Sequence, residues 1–502
     1  MRQLSSLLAL VAVTACHSTE TAQETDTDGT NGGDSGMSSL GSPTTTDPTT
    51  TTITTTGPGT TTDPGTTTTT DASSSSSSSS SSTGDDTTTT GNLTTDPLET
   101  TGADESTSTS TTTDDSTTGD STTGEPEPWK PKGCPAIYAQ ELLPTFEIEI
   151  SDAELAGLEA EWLAADDYNT PEHPLIAFKY NDTIVKDATA RLRGNATWWP
   201  DQNKMQLEIS FNTYNDKGRF KGLRKLVFDA AAANTSFLRD RLAMTILQDV
   251  GLPTPCANNA RINLNGEYYG LFTSIEKVDK EFLERRFEDP EGNLYKRAKW
   301  EKKTNESDND ESDLEDLLDA DNVDELLAEM NLEQAMLEWA AEAVMPDGDG
   351  AWAGGLNFYL YNDSKTGFNV IPWDMDATFT RLPFDTDPYV YLKPNDWGRP
   401  FYAIATADPE WFQKYIEKLA YVLEHGYKVD VLQARMDAWG AQIADAAAED
   451  PNKPFSNTDH INGVKAQRSY IAKRAAFVKT WLKCWQDGGT KKEDGTCLPA
   501  PP

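Results

Sequence analysis

Histidine is nearly missing from this chain, with four in 502 residues. Histidine-based hydrolases and zinc enzymes use one to three imidazoles per site, so both classes are set aside. Basic residues are also scarce, with 42 Lys and Arg against 82 Asp and Glu and a net charge of −40. A polyanion of this strength repels nucleic acid, so no nucleic-acid partner is expected. No apolar run reaches the ~20 residues that cross a bilayer, so no stretch reads as a transmembrane span. Cysteine numbers five. With Cys16 set apart, Cys134, Cys256, Cys484 and Cys497 remain, with no close Cys pair or His partner of the kind a zinc site needs.

What is present begins with Arg2, an apolar core from Leu7 to Val13, and Val13-Thr14-Ala15-Cys16. This pattern fits a secretory signal, and its last four residues resemble a bacterial lipobox whose cysteine is lipidated after cleavage. Residues 1–16 are thus expected to be a lipoprotein signal, with Cys16 the lipidated residue. The expected location is exported, lipid-anchored to the bacterial cell surface or outer membrane, with membrane contact through the lipid alone. From residue 17 to 128 the chain is almost entirely Thr, Ser, Gly, Asp and Pro, with twelve residues, ASSSSSSSSSST, at 72–83. Such sequence cannot bury enough apolar area to offset the entropy of ordering, which predicts a disordered linker. Nineteen acids and no Lys or Arg lie in it, leaving 63 acids against 41 bases for residues 129–502. Those residues hold nearly all the aromatic side chains and are expected to fold. In an exported protein their four cysteines suggest disulfides, with three pairings open. Cys484 and Cys497, close in sequence, most readily close a small loop.

Along the folded part, FEIEI at 146–150 alternates like a strand. The helix that follows is announced by Ser151 with Glu154 three residues on. Strands are predicted in IAFKYND, TIVKDATARLRG and KMQLEISFN, then a helix from Asn234 to Val250 ended by Gly251. Asn265-Gly266 between ARINL and EYYGLF is a strong hairpin signal. The acidic run at 306–325 lacks the spacing and central Gly of a calcium-binding loop, and reads as a solvated insertion. Leu332, Ala335, Met336, Trp339, Ala343 and Val344 form a helical stripe stopped by Pro346. NFYLY and FNVIPW should pair across NDSKTG, and Trp411–Trp485 reads as helix broken at PNKPFSN. The expected class is α+β, two-lobed, with a β-rich first lobe and a mainly helical second.

Asp374 and Asp376 stand one residue apart in FNVIPWDMDATF. In an extended chain such residues share a face, and carboxylates that close repel unless a proton or cation lies between them. The hairpin should bring Asn357 to Asp374, with Asp347 and Asp349 just upstream. Oxygen donors of this kind suit Mg²⁺, which takes one or two carboxylates and leaves positions for phosphate oxygens.

In order, RLRGNATWW, KMQLEISFN with Lys204, SFLRDRLA, INLNGEYYGLFTSIEKVD, GNLYKRA, NFYLYND and VIPWDMDATF resemble the spore-coat protein H (CotH) family. The resemblance runs from about residue 145 to 480. It implies an atypical, protein-kinase-like fold using ATP and Mg²⁺ on Ser-rich substrates. It also implies residue roles: Asp374 as metal-binding Asp supported by Asp376, and Asn357 on a second ion. Asp349 is implied as the base with Asp347 as understudy, and Lys204 as the phosphate-contacting lysine. Arg193 and the Gly194 amide could meet phosphate in place of a GxGxxG roof, which is missing. Glu276 is either a hinge acid near adenine or a surface partner of Lys277 or Lys280. Trp198 and Trp199 are read as packing or stacking groups, and Arg468 and Arg474 as solvated or paired with the acidic body.

Three departures from ordinary kinases stand out. The segment from Asp349 to Asn357 is long, no HRD pattern precedes the Asp, and the helix carrying Arg239 and Asp240 offers no Glu for the lysine. The expected activity is ATP-dependent phosphorylation of Ser or Thr in secreted or surface proteins, with the chain's own linker among the substrates considered. A catalytically inactive surface adhesin or matrix-binding module is the alternative.

Overall fold

A computed structural model describes residues 129–164, 170–194, 203–297, 299–389, 400–492 and 497–498. The expectations for residues 1–16, Cys16, the linker at 17–128, Trp198 and Trp199 lie outside the described residues.

The first half is built on a sheet that closes on itself. Its strands are β1 (Thr145–Ile150), β2 (His173–Tyr180), β3 (Thr183–Val185), β4 (Thr189–Leu192), β5 (Leu207–Ser210), β6 (Lys225–Asp229), β7 (Ala257–Leu264) and β8 (Glu267–Glu276). They lie in the order β1-β7-β8-β6-β5-β4-β2-β3, and β1 also pairs with β2, so every strand but β3 belongs to a ring. Closure removes the unpaired edges that an open sheet presents. The alternation in FEIEI turns Phe146, Ile148 and Ile150 inward. Phe146 and Phe178 stack and Phe220 meets both edge-on, with ring centroids 5.2 to 6.2 Å apart, each side chain worth roughly 1.5–3 kcal/mol on burial.

Helix α1 (Asp152–Ala164) starts as expected, with Ser151 Oγ accepting from Glu154 N at 3.3 Å. The β7–β8 hairpin turns on Asn265 and Gly266, both at positive φ, 51° and 87°, as a two-residue turn of this kind requires. Helix α2 (Arg239–Asp249) begins later than the sequence pattern implied. Ala231 and Phe237 hold left-handed φ values of 53° and 61°, which interrupt any helix through residues 231–238.

The second half opens with α3 (Lys280–Arg286), β9 (Leu294–Lys296), β10 (Glu301–Lys302), α4 (Ser312–Asp319), α5 (Val323–Glu329) and α6 (Leu332–Val344). The hairpin β11 (Phe358–Asp363) and β12 (Gly367–Pro372) follows and completes a second sheet in the order β10-β9-β11-β12. Helices α7 (Pro400–Ala407), α8 (Pro409–His425), α9 (Val429–Glu449) and α10 (Asn457–Gln486) lead to a short β13 (Thr490–Lys491) and β14 (Cys497–Leu498) pair. The acidic run is not wholly a solvated insertion. Within it α4 buries Leu314 and Leu317, three residues apart, and Asp313 accepts from Asn293, Tyr295 and Asn362, while Glu315, Asp316 and Asp319 are exposed.

The disulfides are Cys134–Cys256 and Cys484–Cys497, so the short loop closes as expected. Arg468 pairs with Asp437 at the surface. Arg474 differs from expectation: it is buried and donates to the carbonyls of Ala343 (2.6 Å), Val344 (3.1 Å), Phe384 (2.9 Å) and Thr386. Its guanidinium satisfies carbonyls left open at the end of α6, whose partial negative charge favours a cation. The end of α6 is thereby fixed, and Asp347 and Asp349 follow shortly after it.

Candidate active site

Ladder pairing across the β11–β12 hairpin, Phe358 opposite Pro372, continues one step outward as Trp373 N donates to Asn357 O at 3.2 Å. Asn357 and Asp374 are therefore neighbours, as the turn NDSKTG implied. Beyond that step the reading of the acid pair is corrected. The chain leaves the strand at Asp374, which is left-handed (φ 59°, ψ 65°), and enters a 3₁₀ turn at Met375–Ala377. A tight turn, and not strand alternation, sets where Asp374 and Asp376 point. Among residues with a side chain Asp is one of the few that visit this conformation.

The long segment from Asp349 to Asn357 folds back on itself. Asn357 N and Leu356 N both donate to Asp349 O (2.9 and 3.2 Å), and Gly355 N donates to Gly350 O (2.7 Å). Its stem is tied to the Asp374 segment by Gly348 N to Ala377 O (3.2 Å) and Phe379 N to Met345 O (2.8 Å). Asp349 is brought within electrostatic reach of Asp374, whose charge, together with burial, raises the Asp349 carboxyl above the usual range against the pull of Arg381.

Two further acids, which carried no role in the sequence reading, complete the group. Asp229 ends β6, and Asp240 lies in the first turn of α2. Arg193 ties the first of them to the hairpin: its Nη1 is 3.1 Å from Asp229 Oδ2 and 2.9 Å from Gln206 Oε1, and its Nη2 is 3.6 Å from Asp374 Oδ2. Arg239 donates to the backbone oxygen of Asp376 at 2.8 Å.

Burial, joined by Asp374 and Asp229, pushes the Asp376 carboxyl well above its usual range. Asp240 is pushed up likewise by burial, Asp229, Asp376 and Asp374. Both Asp240 carboxylate oxygens are buried without a donor among the described residues. Arg193 is also raised, which for a guanidinium favours the charged form: burial disfavours its charge, but Asp374 and Asp229 more than compensate. Asp229, Asp240, Asp374 and Asp376 thus face two arginines, and a charge excess of this kind is relieved by protons or a cation. No three His, Cys, Asp or Glu side chains among the described residues converge closely enough to hold a metal by themselves. The Asp374 and Asp376 carboxylates and the Asn357 amide are hard oxygen donors, the chemistry that suits an ion such as Mg²⁺, which takes one or two carboxylates and fills its remaining positions with water and phosphate oxygens.

A cationic side borders the acids. Lys277 and Arg193 lie 5.8 and 5.7 Å from the Trp373 ring centre, and Lys277 Nζ is 2.8 Å from Glu208 Oε2. Lys296, on β9 opposite Tyr359, is half-buried, and its ammonium makes no hydrogen bond or ion pair among the described residues. Burial, with repulsion from Lys277 and Arg193 and against attraction by Asp374, lowers its ammonium to about 8. GNLYKRA contains this lysine, but nothing local marks it as the one that faces Asp374.

The structure does not bring every expected residue here. Lys204 is fully buried, donating to Asp450 Oδ2 (2.9 Å) and Leu271 O (2.7 Å) between the rings of Phe237 and Phe272. With no exposed ammonium it is corrected from phosphate contact to core ion pair. Glu276 is also fully buried, bonded to Arg285, 3.6 Å from Arg286 Nη2, and accepting from Cys256 N at 3.0 Å. It is corrected on the same ground, and neither Lys277 nor Lys280 is its partner. Asp347 is buried, with Oδ1 accepting from Asp349 N (2.9 Å) and Gly350 N (3.1 Å), so it is no substitute base.

Comparison with known proteins adds three findings. A sequence model of the family described as CotH kinase protein matches residues 190–478. The inner spore coat protein H of Bacillus subtilis (strain 168) is 25% identical over 373 residues, spanning 68% of this chain and 98% of that protein. The crystal structure of the Helicobacter pylori proinflammatory kinase CtkA aligns with TM-score 0.31 and 10% identity, covering 56% of this chain and 95% of that one.

Proposed function

The chain belongs to the CotH kinase protein family, and from that premise we propose that it transfers the γ-phosphoryl group of ATP to Ser or Thr hydroxyls of secreted or surface proteins. The observation that carries this reading is that backbone bonds bring Asp349, Asn357 and the Asp374–Asp376 turn to the open end of one hairpin, where Asp229, Asp240, Asp374 and Asp376 face two arginines.

In the proposed reaction the acceptor oxygen bonds to the γ-phosphorus as the bond from that phosphorus to the β,γ-bridging oxygen breaks. ADP leaves with the electron pair, and the hydroxyl proton passes to Asp349. A carboxylate held above its usual range is a better base for that proton than an open one. Asp374 and Asp376, with the Asn357 amide, would hold Mg²⁺. When bound, the ion offsets negative charge on the phosphates. Arg193 and Lys296 are assigned to the phosphates, in the place the sequence had given Lys204. Export and a lipid on Cys16 would present the domain at the bacterial surface, which Leu7–Val13 and the lipobox-like Val13–Cys16 support.

The test is transfer from γ-labelled ATP to a Ser-rich peptide with Mg²⁺ present. The parent should label the peptide, and Asp349→Asn should lower kcat by about 10²–10⁴-fold. A parent that transfers nothing, or an Asp349→Asn variant as fast as the parent, would overturn the reading.

A further inference from the structure

The structure points to a device outside the site itself. At its C-terminal end α6 buries two acids, Glu338 and Glu342, one helical turn apart, and Asp347 follows just past the helix; all three are 0% exposed. Carboxylates there meet the negative end of the helix, and no cation is paired with them among the described residues. A Leu or Met would fill such positions without the cost of burying a polar group, so the acids call for a reason. The reason lies in the turn above them. Asp347 Oδ1 accepts from Asp349 N (2.9 Å) and Gly350 N (3.1 Å), and Glu342 Oε2 accepts from Trp352 N (2.7 Å). The fit is close: a Cβ on Gly350 would stand 2.4 Å from both Glu342 carboxylate oxygens.

We propose that Glu342 and Asp347 are positioning residues for Asp349, gripping the backbone of the 349–352 turn from within the core so that the Asp349 carboxyl is presented toward Asp374. This rests on the kinase reading for its consequence in rate, though not for the grip itself. Burial and the adjoining Glu338 carboxyl favour a protonated Glu342, which can donate its O–H to Glu338 while its other oxygen accepts from Trp352. A neutral amide reproduces that bonding, with oxygen toward Trp352 N and NH₂ toward Glu338. An aliphatic side chain of equal volume cannot.

The experiment uses the full chain and compares Glu342→Gln with Glu342→Met, the latter filling the same space if Glu342→Ala fails to fold. Hydrogen exchange of peptides covering 347–356 is read beside steady-state transfer to the Ser-rich peptide. In Glu342→Met, the exchange of the 349–352 amides should rise about tenfold, and kcat should fall roughly tenfold to hundredfold with KM for ATP within about twofold. Glu342→Gln should recover the protection and at least about a third of kcat. The proposal is overturned if Glu342→Gln is as unprotected as Glu342→Met, or if Glu342→Met matches the parent in exchange. If the parent transfers no phosphoryl group, the kinase reading fails alone, and the exchange comparison still decides whether these acids hold the turn.

Discussion

Replacing Lys204 with alanine leaves Asp450 buried with its cation removed. In the parent the ammonium is enclosed, 2.9 Å from Asp450 Oδ2, and among the described residues its only other acceptor is Leu271 O at 2.7 Å. Asp450 keeps the amides of Leu271 and Asn452, each at 2.9 Å, but these do not neutralise its charge. Breaking a buried pair from one side costs about 3–5 kcal/mol. The aliphatic stem between Phe237 and Phe272 adds a cavity on top. Thermal unfolding followed by circular dichroism should therefore show Tm falling on the order of 5–10 °C. The double variant Lys204→Met/Asp450→Leu should recover most of the loss, because removing both charges removes the uncompensated one. At temperatures where Lys204→Ala is folded, ATP binding should stay within about threefold of the parent, a difference of less than 1 kcal/mol. A variant that melts with the parent yet loses ATP would restore Lys204 to the phosphates and refute this account.

Other expectations follow from the same geometry. Lys296→Ala should weaken ATP binding about tenfold, the loss of one charge-assisted contact, with Tm unchanged; a calorimetric affinity equal to the parent's would remove Lys296 from the site. Because that ammonium sits at about 8, parent affinity should also decline as pH rises past 8. Burial holds the Glu338 carboxyl up to about 7, from an open-chain 4.5. The folded state thus takes up the proton more readily, which contributes about 3 kcal/mol, complete below 4.5 and lost as pH rises through 7. Glu338→Gln should flatten the fall in Tm between pH 5 and 8, and an unaltered slope would discount the effect. The serines within residues 72–83 share a chain with the domain, so their effective concentration is high. Incubation with ATP and Mg²⁺ should give phosphoserine there by mass spectrometry, and its absence from an active preparation would exclude the linker as substrate.

The parts of the site that were legible in the sequence are local ones. Asn357 meets Asp374 because a short turn forces the two ends of one hairpin together, and a turn of that kind is written in adjacent residues. The length of α6 and the break between α9 and α10 follow from apolar spacing, Pro346 and PNKPFSN, whereas the break between α8 and α9 at 426–428 carries no proline and was missed. Asp229, Asp240 and Lys296 were not legible as site residues, since they come from a strand end, a helix start and a strand of the second sheet that only long-range pairing unites. Lys204 shows the reverse error. A lysine on a β-rich half looks like a phosphate contact until its partner appears 246 positions away, at the end of α9. Glu276 was misread because its arginines come from the following helix, α3. Closure of the first sheet through β1 and β2 also had no local signal, because the two strands are joined by a helix and their pairing depends on the whole ring.

The central claim is that the acids around Asp374 join a magnesium ion to nucleotide phosphates. Isothermal titration calorimetry of ATP with the full chain, with and without Mg²⁺, and with Asp374→Ala, tests it most directly. The account predicts binding by the parent that requires Mg²⁺ and falls at least about tenfold in Asp374→Ala, a loss of about 1.4 kcal/mol or more. Equal ATP affinity in parent and variant, or affinity indifferent to Mg²⁺, would contradict it.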